Sequence, residues 1–138
     1  MKRELRGSCL CDAVEFTVED EFTKFFLCHC TQCQQITGSS HASNVFTNPD
    51  NIIWLKGKEQ LIRYDDPERD FTKVFCSKCG SGLPFLNKSG NHLIVPAGSL
   101  KQAPSISPQV NIFRSEQASW YKEGISVKSV ERFPELKM

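Results

Sequence analysis

Seven cysteines in three short clusters limit what this chain can fold into more than any other feature of its sequence. The clusters are Cys9 with Cys11, then Cys28 with Cys30 and Cys33, then Cys76 with Cys79. An odd count, behind an N-terminus without the apolar stretch of an export signal, argues against a disulfide framework. Grouped thiols in a reducing compartment are typical of metal sites. We therefore interpret the clusters as metal ligands and expect a cytoplasmic protein.

The first and third clusters together supply four thiolates. Cys9 and Cys11 are two positions apart, so an extended backbone would point both sulfurs to one side. Cys76 and Cys79 flank a tight turn, from which Gly80 lets the chain leave. Four thiolates complete a tetrahedral shell, so we predict a structural zinc ion that ties the N-terminal segment to the middle of the chain.

The second cluster is one ligand short of such a shell. Cys28, Cys30 and Cys33 are close enough to share one ion, while strand alternation turns His29 the other way. An open position distinguishes a catalytic zinc from a structural one. We therefore predict that this trio carries the chemistry, with a substrate thiol as the fourth, soft ligand. The alternative is a second structural site that is completed by His41 or His92.

The rest of the chain predicts one mainly β domain over residues 1–138. With 138 residues, 39% of them hydrophobic, the chain can bury one core. Alternating apolar residues predict strands at residues 13–19, 51–55, 61–64, 71–76, 92–95, 110–113 and 125–127. Short helical turns are predicted at 30–37 and 115–121. The fold class is thus short antiparallel strands with little helix.

Charge and hydropathy exclude two classes of partner. Seventeen basic against sixteen acidic residues give a net charge of +1, without the basic face of a nucleic-acid binder. No apolar stretch is long enough to span a bilayer. We expect neither nucleic acid nor membrane as a partner. Arg63, Lys73 and Arg114 could bind carboxylates, but we interpret them as solvated charges.

At its cysteine clusters the chain resembles the family of glutathione-dependent formaldehyde-activating enzymes, also described as the centromere protein V family. The matching segments are residues 7–11, 28–33, 75–81 and 97–100, and the similarity runs from residue 5 to residue 133. The resemblance implies a β-tent of small antiparallel sheets with zinc-binding cysteine knuckles.

The resemblance also implies ligands and a reaction. It assigns a structural zinc ion to Cys9, Cys11, Cys76 and Cys79, and a second, more weakly held and catalytic zinc ion to Cys28, Cys30 and Cys33. The reaction joins glutathione to formaldehyde to give S-hydroxymethylglutathione, and it is classed as a carbon–sulfur lyase in reverse. The expected partners are a small thiol similar to glutathione and an aldehyde. The oligomeric state is open between a monomer and a homodimer.

The sequence departs from the family's usual pattern at four positions. Asp12 replaces a common glycine, Gln34 and Gln35 replace a basic pair, and Ser119 replaces a proline. The two lost positive charges leave a second hypothesis open, namely a non-catalytic, zinc-stabilised binding module for a small thiol or a protein partner. A third hypothesis, a redox sensor that uses the Cys28 trio, is disfavoured because zinc-bound thiolates are not free to cycle.

Overall fold

A computed structural model describes residues 2–134 of the chain. The strands are β1 (Glu4–Ser8), β2 (Glu15–Glu19), β3 (Lys24–Cys28), β4 (Ala42–Thr47), β5 (Ile53–Lys56), β6 (Leu61–Asp65), β7 (Thr72–Cys76), β8 (Phe85–Leu86), β9 (Leu93–Pro96) and β10 (Val110–Ile112). The α-helices are α1 (Thr31–Thr37) and α2 (Tyr121–Ser126), and 3-10 turns form at Lys58–Gln60, Ala97–Ser99 and Arg114–Glu116. Within residues 2–134, no helix has the length and apolar character to cross a membrane.

The strands form three small sheets, which confirms the predicted fold class. One sheet has the order β1-β2-β5, the second has the order β10-β3-β4-β9-β8, and β6 pairs with β7 alone. The pairs are antiparallel except for the edge strand β10, which runs parallel to β3. This parallel pair is the exception in a mostly antiparallel fold. It requires a long connection, and residues 97–109 supply it by carrying the chain from β9 back to β3.

Most of the predicted strands are present, but one is wrong. β2, β5, β6, β7, β9 and β10 fall where alternating apolar residues predicted them. Residues 125–127 were predicted as a strand, but residues 125 and 126 end α2 instead. The alternation there does not mark a buried face, since Ile125 is 70% and Val127 is 64% exposed.

The helical predictions have a similar outcome. The turn at 30–37 is confirmed by α1, whereas the range 115–121 holds only the end of the 3-10 turn at Arg114–Glu116 and the first residue of α2. Four strands escaped prediction: β1, β3, β4 and β8. In β1, the inward positions are Leu5 and Gly7, and a glycine adds no apolar signal.

The core lies between the sheets and includes part of the cysteine clusters. Its buried members are Leu5, Cys9, Val14, Phe16, Val18, Phe25, Val45, Val74, Cys76, Leu83, Leu93 and Val95. Gly7 faces the ring of Phe16, and a Cβ at Gly7 would come within 2.1 Å of the ring atom Cζ. Only glycine leaves room for this ring, so β1 and β2 can bring Cys9 to the edge of the core.

Candidate metal centres

The first and third cysteine clusters meet in space. The Sγ atoms of Cys9, Cys11, Cys76 and Cys79 all lie within 4.8 Å of one another. Cys9 and Cys11 are separated by 3.6 Å, and Cys11 and Cys76 by 3.9 Å, between sulfur atoms. Four thiolates around zinc at about 2.3 Å form a tetrahedron with edges of about 3.8 Å. The four sulfurs could therefore hold one metal ion, and their separations fit zinc.

The Cys9–Cys11 segment reaches this geometry through a turn, so the expected extended backbone is wrong. The Asp12 N–H donates to the Cys9 carbonyl at 3.1 Å, and the Val14 N–H donates to the Cys9 sulfur at 3.3 Å. Asp12 has a φ of 62°, in the left-handed region that favours glycine. The turn folds Cys11 back beside Cys9, which strand alternation alone would not do.

Polar groups surround the sulfurs of the third cluster. Cys76 ends β7, and Gly80 follows Cys79 with a φ of 78°, as the turn prediction required. The Lys78 N–H donates to the Cys76 sulfur at 3.4 Å. Hydrogen bonds from the hydroxyl and the N–H of Ser81 lower the pKa of Cys79 to about 5. These donors favour thiolates, which is the form that binds metal.

The second cluster is built where β3 passes into α1. Cys28 ends β3, Cys30 caps α1, and Cys33 lies in the first turn of that helix. Their three sulfurs lie within 4.8 Å of one another, so they too could hold a metal ion. The Cys33 N–H donates to the Cys30 sulfur at 3.3 Å, since an N-cap side chain accepts from the free N–H groups of the first turn.

The three thiols of this trio differ in acidity. The hydrogen bond from Cys33 lowers the pKa of Cys28 to about 6, with a further contribution from the Cys30 backbone. The same hydrogen bond to Cys28, together with burial, raises the pKa of Cys33 above its usual range. Burial also raises the pKa of Cys30. Cys28 therefore loses its proton readily, whereas deprotonation of Cys30 and Cys33 is unfavourable unless a cation is present.

No histidine or carboxylate among residues 2–134 joins the trio at the same separation. His29 points away and is fully buried, with Nε2 donating to Asn111 Oδ1 at 2.7 Å. The His41 ring packs against His29, with centroids 5.0 Å apart, and the His92 ring lies against Phe46 at 5.9 Å. Neither His41 nor His92 therefore completes this cluster in the described part of the chain.

Two adjoining cavities open beside the trio. Cavity one, of about 240 Å³, is lined by Cys28, Cys33 and Lys88, and cavity two, of about 190 Å³, by Cys33, His41 and Lys73. The lining residues shared by both cavities are Cys33, Asn44, Phe71, Thr72 and Phe85. These residues come from four separate segments, so they show no common sequence signal. The trio thus opens into a partly aromatic cleft.

The two lysines that line the cleft, Lys88 and Lys73, differ in their contacts. The Lys88 ammonium donates to the carbonyl oxygen of Arg69 at 2.6 Å and also to that of Asp66, so it holds a loop together. Lys73 is half-buried, and its Nζ lies over Gly82, where a Cβ would come within 2.5 Å of it. Burial lowers the pKa of Lys73, although attraction to Cys33 opposes this shift. Its interpretation as a solvated charge is wrong.

Of the two departures within α1, Gln34 has a structural role. The Gln34 amide donates to the His29 carbonyl at 2.8 Å and to the Glu116 carbonyl at 2.9 Å. It therefore ties α1 to the 3-10 turn at Arg114–Glu116. Gln35 is exposed. A basic pair at these two positions is thus replaced by one anchoring amide and one solvent-facing amide.

Two comparisons relate the chain to known proteins. The sequence profile of the family described as glutathione-dependent formaldehyde-activating enzyme matches residues 4–116. A crystal structure of a Rhodobacter sphaeroides protein is similar at a TM-score of 0.59 and 23% identity, covering 77% of this chain and 97% of that one. At that identity, the similarity shows a shared fold. No curated protein matches the chain.

Proposed function

The chain belongs to the family of glutathione-dependent formaldehyde-activating enzymes, and we propose that it adds a small thiol such as glutathione to formaldehyde or a related small aldehyde. A carbon–sulfur bond forms, the carbonyl π bond breaks, and the thiol proton ends on the new hydroxyl oxygen. The reverse reaction splits the adduct, as a carbon–sulfur lyase does. The observation that carries this proposal is the three-sulfur cluster, which has no fourth ligand within residues 2–134 and opens into a cleft.

Two sets of thiolates would hold zinc. Cys9, Cys11, Cys76 and Cys79 would bind a structural ion, and Cys28, Cys30 and Cys33 would bind a second, weaker one. When bound to the trio, zinc supplies a positive charge that lowers the pKa of a thiol in its fourth position. The partial burial of the trio, with Cys30 at 8% and Cys33 at 7% exposure, protects the site from bulk water.

The cleft residues would position the aldehyde. Phe71 and Phe85 line both cavities and restrict water near the reacting carbon. Asn44, on β4, lines the same two cavities, and its side-chain amide makes no hydrogen bond to another group among residues 2–134. We assign that amide as a donor to the aldehyde oxygen, where negative charge develops as the thiolate attacks.

We also propose one domain and a cytoplasmic location. One core cluster contains buried residues from Leu5 to Val95 and supports a single folding unit. The seven cysteines are free thiols, which favours a reducing compartment. Limited proteolysis and a fluorescent fusion would test these two points.

The reaction test uses zinc-loaded protein with glutathione and ¹³C-formaldehyde, and NMR exchange rates report adduct formation. We expect the protein to accelerate exchange over the spontaneous reaction. Cys30→Ala should abolish the acceleration and keep the fold, while Ser39→Ala, on the exposed turn after α1, should retain it. A fully zinc-loaded wild-type protein that binds glutathione without acceleration would instead support the binding module.

A further inference from the structure

Lys73 lies where the cleft continues beyond the sulfur trio. Cavity three, of about 610 Å³, is lined by Cys9, Lys101 and Lys73 among others. Cavities two and three share the lining residues Ile36, Thr37, Lys73, Pro96 and Gly98. The three cavities therefore form one groove. It runs from Cys28 and Cys33, past the Lys73 side chain, to the neighbourhood of Lys101.

The Lys73 ammonium is available to a ligand. Among residues 2–134, no carboxylate forms a salt bridge with it, in contrast to Arg3, Lys2 and Arg69. Lys88, the other cleft lysine, is held by two backbone carbonyls. A half-buried ammonium without a counter-ion is unfavourable, because burial removes water that nothing replaces. An anion in the groove would supply the missing partner.

We propose that Lys73 binds a carboxylate of the thiol substrate and makes the site selective for thiols that carry one. This inference rests on the proposed function, because it requires the substrate sulfur at the trio. A three-thiolate zinc site has a formal charge of −1, so an acidic thiol needs a nearby cation to approach it. Lys73 provides that cation beside Cys33, and a peptide thiol such as glutathione is long enough to place a carboxylate further along the groove.

Lys73 could instead serve only to balance the negative charge of the trio, and that role leads to different experimental results. If its charge only balances the thiolates of the trio, removing it would weaken metal binding and would affect every thiol alike. If it binds a carboxylate, metal content should stay constant and only carboxylate-bearing thiols should bind more weakly. The two roles are therefore separated by comparing thiols with and without a carboxylate.

The experiment measures binding of glutathione and of cysteamine, which has no carboxylate, to zinc-loaded wild type, Lys73→Met and Lys58→Met. Lys58 lies in an exposed 3-10 turn, so its variant controls for the loss of one charge. Lys73→Met should weaken glutathione binding about tenfold, since a charged hydrogen bond contributes about that much. Cysteamine binding and zinc per chain should not change. Lys58→Met should behave as wild type.

A second variant moves the ammonium without removing it. Gly82→Ala places a Cβ within 2.5 Å of the Lys73 Nζ, so the side chain must shift. We expect the same selective loss for glutathione, with native zinc content and a native circular dichroism spectrum.

Three results would overturn the inference: unchanged glutathione affinity in Lys73→Met, an equal loss for both thiols, or a loss of the second zinc ion. The NMR exchange assay separates failure of this inference from failure of the proposed function. If wild type catalyses the exchange but Lys73→Met binds both thiols as wild type does, only the role of Lys73 is refuted. If Lys73→Met selectively loses glutathione affinity but wild type does not catalyse the exchange, only the proposed catalytic function is refuted.

Discussion

The sulfur atoms of Cys11 and Cys76 lie 3.9 Å apart, although 65 positions separate the two residues along the chain. One belongs to the turn between β1 and β2, and the other ends β7. A metal ion held between them would join two sheets that are otherwise linked through the core. This contact leads to the first prediction.

Replacing Cys76 by Ala should remove the structural ion and destabilise the whole fold. Cys76 is fully buried, so the variant leaves a cavity as well as an incomplete metal shell. We expect a loss of about 3 kcal/mol or more in the free energy of unfolding, measured by urea denaturation. Cys30→Ala is the matched control and should lose one ion with a much smaller change in stability. Equal stability of Cys76→Ala and wild type would contradict the assignment.

The two ions should differ in how tightly they are held. Four sulfurs surround the first position, whereas three surround the second. Native mass spectrometry should find two zinc ions per chain, and a mild chelator should remove one of them first. In Cys30→Ala that labile ion should be absent from the start. Glutathione should slow its loss in wild type by occupying the open position, and simultaneous loss of both ions would argue against this order.

Asp12 should be replaceable by the glycine that is usual in the family. Its φ of 62° is strained for most side chains, and glycine adopts that conformation freely. We expect Asp12→Gly to keep both zinc ions and to raise the free energy of unfolding by up to about 1 kcal/mol. Asp12→Val should lower it, because a β-branched side chain disfavours this region. Thermal unfolding with zinc quantitation measures both effects, and a Val variant as stable as the Gly variant would refute the strain argument.

Asp20 should contribute stability that depends on pH. Burial would raise the pKa of Asp20, but hydrogen bonds from Ser105 and the Arg3 guanidinium outweigh burial and lower this pKa. A lowered folded-state pKa adds stability above the unfolded value of about 3.9 and loses it as pH falls through the folded value.

Asp20→Asn should therefore be less stable than wild type at pH 7, by on the order of 1 kcal/mol. The difference should shrink as pH falls below the unfolded pKa. Urea denaturation at several pH values measures this, with Asp50→Asn, an exposed carboxylate, as the control. A difference that is constant with pH would show that the charge of Asp20 is not responsible.

Local sequence patterns predicted much of the candidate site. The two-residue and three-residue cysteine spacings, with Gly80 after Cys79, correctly indicated which sulfurs come together. The helical turn at 30–37 and the orientation of His29 away from the trio were also predictable, because both depend on neighbours within a few residues. The geometry of Cys9 and Cys11 was not, since a turn rather than a strand brings their sulfurs together.

The sequence by itself determined the grouping of the cysteines and the mainly β character of this protein, because spacing and alternation act over a few residues. Tertiary structure decided what surrounds the trio. Lys73 on β7 borders the same cavity as Cys33 on α1, and β10 pairs in parallel with β3, because sheets and core place distant segments side by side. Burial of a lysine depends on the whole fold, so no local pattern marks Lys73 as different from the solvated lysines.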